Sequence, residues 1–292
     1  MTISAKMVKE LRVKTGAGMM DCKKALVETG GNIEEAAVWL REKGISKAAK
    51  KQTRIAAEGL CHYAFEGNTA IVFELNCETD FVPKNKQYLT LLDDIAKALI
   101  VVKPDNTEEA LKVEINGTTI ETALVDATFT IGEKITLRRV MKLEKESSQV
   151  FGAYKHNGGK IAVITILDGD KEEVAKDIAM HVAAINPSYV DQSQVPQDEL
   201  EKEKEILKQE ALNEGKPEAI VEKMVIGRLN KYLKDICLVN QPFVKDSDIT
   251  VEKYVKNMGM NIASFTRLTV GEGIEKRVDD FAAEVAAQVG NN

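Results

Sequence analysis

Leu60-Cys61-His62-Tyr63-Ala64-Phe65-Glu66-Gly67-Asn68-Thr69-Ala70-Ile71-Val72-Phe73-Glu74-Leu75-Asn76 decides the architecture. Residues 60–65 and 69–76 are rich in aromatic and β-branched side chains, and Glu66-Gly67-Asn68 between them carries turn chemistry. The pattern is a strand hairpin, and an apolar-rich helix over 88–101 follows it. The same order recurs downstream. Strand 150–154, the turn residues His156-Asn157-Gly158-Gly159, strand 161–167 and a helix over 172–184 repeat it. Tyr63, Gly67, Val72 and Leu75 match Tyr154, Gly158, Val163 and Ile166 at a separation of 91 residues, whereas Ile95-Ala96 matches Ile178-Ala179 at 83. The first copy thus holds eight more residues between strand and helix, where Cys77-Glu78-Thr79-Asp80-Phe81-Val82-Pro83-Lys84-Asn85 lies. Two related halves form the core, one with a longer loop and an aromatic near its middle.

Before this core the pattern is helical. Ser4 precedes Met7, Val8 and Leu11 at helical spacing, Gly16-Ala17-Gly18 interrupts, and a second helix covers 19–29. Asn32 with Glu35 reads as a capping box that opens a third helix, which Gly44 closes, and the basic stretch 47–54 reads as a linker. Residues 127–141 alternate in part and read as hairpin strands around Gly132-Glu133. Residues 197–238 form a projecting antiparallel helical hairpin that turns at Asn213-Glu214-Gly215-Lys216-Pro217, with Gly past one helix and Pro opening the next. A strand over 262–270 and a helix over 276–289 end the pattern. The expected class is α+β. Its parts are a three-helix head with linker (1–54), a first core half (55–146) holding the loop 77–85, a second core half (147–265) into which the helical hairpin is inserted, and a C-terminal module (266–292).

Composition narrows the function. The 292 residues are 44% hydrophobic and 29% charged, with a net charge of −6. Residues 1–54 carry twelve basic and six acidic groups, and the remainder 28 and 40. A basic head on an acidic body argues against the whole chain wrapping a nucleic acid. It fits a head that docks on an acidic protein face or on RNA, and equally a solvated helical surface. No apolar run approaches the ~18 residues of a membrane span, and no signal-peptide stretch opens the chain. The four cysteines form no CxxC pair and there are three histidines, so neither a zinc site nor a disulfide framework is expected. Phosphate-loop, dinucleotide, HExxH, GxSxG and EF-hand patterns are absent. The expectation is a reduced, cytoplasmic protein that uses no cofactor and does no covalent chemistry.

Two segments resemble the signatures of one family. Thr15-Gly16-Ala17-Gly18-Met19-Met20-Asp21-Cys22-Lys23-Lys24-Ala25-Leu26 and Glu74-Leu75-Asn76-Cys77-Glu78-Thr79-Asp80-Phe81-Val82 are similar to those of bacterial elongation factor Ts, the nucleotide exchange factors of the GTPase elongation factor Tu. Gly215-Lys216-Pro217, Gln241-Pro242-Phe243-Val244 and Val270-Gly271-Glu272-Gly273-Ile274-Glu275-Lys276 extend the resemblance along the chain. It implies a ubiquitin-associated-like head, a two-part core, a coiled-coil hairpin and a C-terminal module. By the same resemblance, Thr79, Asp80, Phe81 and Val82 form an exchange loop that disturbs the partner's Mg²⁺ and GDP. Met19 and Met20, with Leu11 behind them, dock the head. Ile131, His156, Val270 and Phe281 mark further contact positions. Elongation factor Tu is the partner, with no membrane or direct nucleic-acid partner, and homodimerisation is left open.

The residues alone permit other readings. Phe81 can be a buried loop anchor, Met19 and Met20 can be core methionines, and His156 can be a plain surface residue. Cys22 and Cys77 read as small buried residues. An RNA-binding translation protein would use Lys23, Lys24, Lys47, Lys50 and Lys51 and weaken steeply with salt. A small-molecule enzyme would need a pocket of convergent ionisable groups, for which the sequence offers no set.

Overall fold

A computed structural model describes residues 3–215 and 217–275. The N-terminal region is helical: α1 (Ala5–Thr15), α2 (Met19–Glu28) and α3 (Ile33–Ala49). Ser4 caps α1 by accepting the Met7 N–H at 3.3 Å. Asn32 caps α3 by accepting the N–H groups of Glu34 and Glu35, and its amide donates to the Glu35 carboxylate at 2.8 Å. Val8, Leu11, Cys22, Ala25, Leu26, Ala36 and Leu40 form the small core of this region.

Helix α3 does not end at Gly44. It runs on to Ala49 and takes in part of the stretch expected as linker. A side chain at Gly44 would put its Cβ 3.1 Å from the Phe129 ring. The glycine serves close helix approach there, and stopping the helix is not its role.

The first core half is β1 (Glu58–Glu66), β2 (Thr69–Cys77), α4 (Lys86–Val102), α5 (Thr107–Lys112), β3 (Glu114–Ile115), β4 (Thr118–Thr119), α6 (Ile120–Ile131) and β5 (Thr136–Glu144). Its three-stranded sheet has the order β1-β2-β5, so β2 is central and buried along its whole length. Alternation sends Ile71, Phe73, Leu75 and Cys77 into the core that contains Tyr88, Ile95 and Leu99 of α4. The hairpin expected over 127–141 is corrected here: its first arm is the end of α6, and only the second is a strand. Thr119 caps α6, and Gly132, at φ +93°, closes it. Phe129 and Ile131 mimic strand alternation because they serve different cores, the first with the head and the second under the sheet.

The second half repeats the order with β6 (Gln149–His156), β7 (Ile161–Asp168) and α7 (Glu172–Ile185). Antiparallel pairing of β6 and β7 runs from His156 opposite Ile161 to Gln149 opposite Asp168. Helices α8 (Gln197–Asn213) and α9 (Glu218–Ile236) form the helical hairpin, closed by Leu207, Ala211, Val221 and Val225. At its base the hydroxyls of Tyr189 and Tyr232 both donate to the Glu199 carboxylate, at 2.6 and 2.9 Å. Then come β8 (Pro242–Phe243), β9 (Asp246–Thr250), α10 (Val251–Asn257) and β10 (Asn261–Thr269), and the second sheet has the order β10-β7-β6. The described residues divide into two compact units, one of 3–66, 70–142 and 269–275, the other of 67–69 and 143–268. The helix expected over 276–289 lies outside the described residues. None of the described helices is long and apolar enough to cross a membrane.

Two buried polar groups hold these units together internally. In the second, His181 is fully buried on α7. Its Nδ1 accepts the Val244 N–H at 3.1 Å, which leaves Nε2–H to donate to Gln241 Oε1 at 2.9 Å. Burial pushes its pKa below the ordinary histidine value, with the Gln241 bond opposing. In the first, Glu74 of β2 has no exposed surface yet meets Arg139 Nε at 2.5 Å, Arg138 Nη1 at 3.1 Å and the Gly271 N–H at 2.8 Å. Arg139 also donates to the Thr269 carbonyl and Arg138 to that of Glu272. The segment 269–272 is thereby stitched to β2 and β5. Gly271 is required: at φ +73°, a Cβ would collide with the Ala57 carbonyl oxygen.

Both groups give measurable expectations. The neutral folded form of His181 contributes stability that is complete above the unfolded value of ~6.5 and is lost as pH falls below it. Thermal unfolding of the wild type should therefore shift downward between pH 7.5 and 5.5. His181→Gln should be less stable at pH 7.5 but lose that component of the shift; an unchanged pH dependence would contradict the assignment. Glu74→Ala removes the buried carboxylate shared by two guanidinium groups and the Gly271 amide, and should cost about 3 kcal/mol in denaturant unfolding. The Gly271 amide should lose hydrogen-exchange protection in the same variant.

Candidate functional site

Nine buried residues of β2 deliver the chain to the loop at Cys77, and Asn85 opens α4 by accepting the Gln87 N–H at 2.8 Å. Between these fixed ends the loop has two differently held halves. The second is anchored by burial: Val82 and Pro83 form a short 3₁₀ turn inside the core. Below it the buried Tyr88 hydroxyl donates to the Leu75 carbonyl at 2.6 Å and accepts the Leu60 N–H at 3.2 Å.

The first half is held by two acids and by the buried Cys77 thiol, which donates to the Thr79 carbonyl at 3.2 Å. Glu133 Oε2 accepts the consecutive N–H groups of Glu78 and Thr79 at 3.1 and 2.9 Å, and its Oε1 accepts the Thr79 hydroxyl at 2.6 Å. Reciprocally, the Glu78 carboxylate accepts the Lys134 N–H at 2.7 Å and pairs with Arg54 at 3.2 Å. Lys134 Nζ reaches the carbonyls of Gln52 and Arg54, and Lys51 donates to the Gly132 carbonyl. Head linker, loop and the α6–β5 turn thus share one junction.

This scaffold leaves Phe81 74% exposed at the loop tip. Lys84 Nζ lies over its ring, 5.6 Å from the centroid, and also pairs with Asp80 at 3.5 Å. The reading of Phe81 as a buried anchor is excluded, since Val82 has that role. Val82 itself is 6% exposed and packs in the core beneath Phe81.

In the head, Gly18 precedes α2, so Met19 and Met20 start that helix with their side chains in water at 59% and 75% exposure. They are not core methionines. Leu11 is fully buried beneath that surface, and the Cys22 thiol, raised in pKa by burial, donates to the Ala17 carbonyl. Burial of Cys22 and Cys77 agrees with their reading as packing residues. The Gly16 turn lies against Thr130 of α6, whose hydroxyl in turn accepts from Gln87 of α4 at 2.7 Å.

Other candidates sit apart from one another in kind. Ile131 is half-buried at the end of α6, two residues before Glu133. Val270 is half-buried in the segment stitched to Glu74. His156 is exposed at the end of β6 in the second unit, its ring 6.0 Å from Tyr154. Phe281 lies outside the described residues. Sequence reasoning did not find Glu133, Lys134, Glu78 or Arg54, which act across 24 to 82 residues. The one available signal was an acid directly after the Gly132 helix cap.

An exposed aromatic on a stiff loop and an exposed methionine pair are contact chemistry. No cluster of three or more His, Cys, Asp or Glu able to hold a metal occurs among the described residues. Residues 78–272 match the family model described as elongation factor TS, and this stretch spans two thirds of the sequence. The chain belongs to the elongation factor Ts family, whose role in translation elongation is nucleotide exchange by binding.

Proposed function

We propose that this protein binds elongation factor Tu in its GDP form and drives loss of Mg²⁺ and GDP by inserting the Asp80-Phe81 loop. It then holds the nucleotide-free GTPase until GTP binds. The observation that carries this reading is Phe81, an apolar ring kept in water by a loop that is fixed at both ends. Burial of that ring against a partner supplies free energy that the free protein does not have.

Magnitudes define how the work is divided. A GTPase with about nanomolar affinity for GDP holds it by about 12 kcal/mol. A ~10⁴-fold faster release requires about 5.5 kcal/mol of preferential binding to the open form. Burying one phenylalanine yields about 1.5–3 kcal/mol, so the wedge is necessary but insufficient. The remainder comes from the head, where Met19 and Met20 dock with Leu11 packed behind them, and from Ile131, His156, Val270 and Phe281. Linkage requires that GDP or GTP weaken this protein's binding in turn. In this reading the head is a ubiquitin-associated-like module, the α8–α9 hairpin is a projection without an assigned contact, and the site of action is the cytoplasm.

Stopped-flow release of a fluorescent GDP analogue from elongation factor Tu tests the proposal. Wild type should accelerate release by orders of magnitude, and Phe81→Ala should lower the saturating rate about tenfold or more. Met19→Ala/Met20→Ala should instead raise the half-saturating concentration with a smaller change in the saturating rate. Absence of acceleration by wild type would refute the proposal. Binding to RNA that weakens steeply with salt and needs Lys23 and Lys24 would support the alternative reading.

A further inference from the structure

We infer that Glu133 is a positioning residue for exchange: its carboxylate holds residues 78–79 so that Phe81 stands ready to insert. The inference rests on the proposed role of the Asp80-Phe81 loop.

Three observations lead to it. Burial of Val82 and Pro83 fixes the far side of the loop, and on the near side the Cys77 thiol donates to the Thr79 carbonyl at 3.2 Å. Glu133 satisfies two consecutive backbone N–H groups and one hydroxyl of the near half, with the strength of bonds to a carboxylate acceptor. Glu78 returns the arrangement by accepting the Lys134 N–H and pairing with Arg54. Removal of the Glu133 carboxylate therefore frees the N–H groups of Glu78 and Thr79 immediately before Phe81 and leaves the bonds of the sheet and α4 in place.

Positioning has a kinetic signature. Freeing residues 78–81 restores backbone conformations that must be lost again when the wedge inserts. That loss falls on the release step and not on docking of the head. The methionine contact forms at Met19 and Met20 of α2, whereas the Glu133 carboxylate bonds residues 78 and 79.

The chemistry also ranks the substitutions. Glu133→Ala removes every acceptor. Glu133→Gln keeps one oxygen for the two N–H groups, and its amide can donate to the Thr79 hydroxyl, which turns to accept. Geometry thus survives in the glutamine variant without the charge.

The test is release of the fluorescent GDP analogue from elongation factor Tu across a range of concentrations of the full-length protein, with Phe81→Ala alongside. Glu133→Ala should lower the saturating rate about tenfold or more, change the half-saturating concentration little, and Glu133→Gln should restore most of the rate. A Glu133→Ala protein at the wild-type saturating rate overturns the inference. So does one in which only the half-saturating concentration rises. Should Glu133→Ala fail to fold, Thr79→Val and Thr79→Ser decide: a slow valine variant with a normal serine variant supports positioning, and a normal valine variant overturns it. Failure of the functional reading is distinct, because there wild type itself would not accelerate release, or Phe81→Ala would match it.

Discussion

Glu133 and Glu78 exchange acceptors across the gap between the loop 77–85 and the α6–β5 turn, and the presentation of Phe81 depends on that exchange. An apolar ring in water lowers no free energy in the isolated protein, so it stays outside only if its backbone cannot turn it inward. Burial of Val82 and Pro83 pins one side of the ring, and the Glu133 carboxylate pins the other. The loop is then a stiff projection whose conformational entropy was lost during folding of the free protein.

The same junction explains why the head linker ends where it does. Arg54, Gln52 and Lys51 each contribute a donor or carbonyl to it, and α3 leans on α6 through Gly44 and Phe129. Glu74 performs the parallel task on the opposite face of β2, where Arg138 and Arg139 bind the 269–272 segment. Strand β2 therefore organises two of the segments that carry the family resemblance, one at its end and one on its side. Its interior acid is costly to bury and is compensated by two guanidinium groups and an amide.

Much of this was legible in the sequence because it rests on local patterns. Strand alternation, the Gly67 and Gly158 turns and the eight-residue surplus gave the repeated halves and the place of the loop. Ser4 and Asn32 announced helix starts through capping chemistry. The failures occurred where tertiary packing overrode local signals. Gly44 reads as a helix stop, yet the helix continues because Phe129 needs the space. Residues 127–131 alternate as a strand would, because two cores divide the side chains of one helix. The exposure of Phe81, Met19 and Met20 was not readable from residue type, since each is as often buried. Glu133 was invisible for a deeper reason: its partners lie 54 and 55 residues away, and no periodicity encodes such a bond.

The central claim is that the loop is formed before it meets a partner. Amide hydrogen exchange of Glu78 and Thr79 in the free protein, followed by NMR, tests it most directly. The account predicts protection of both amides approaching that of the β2 amides beside them. Exchange at the rate of an unstructured peptide would mean that the loop orders only on contact, and would contradict it.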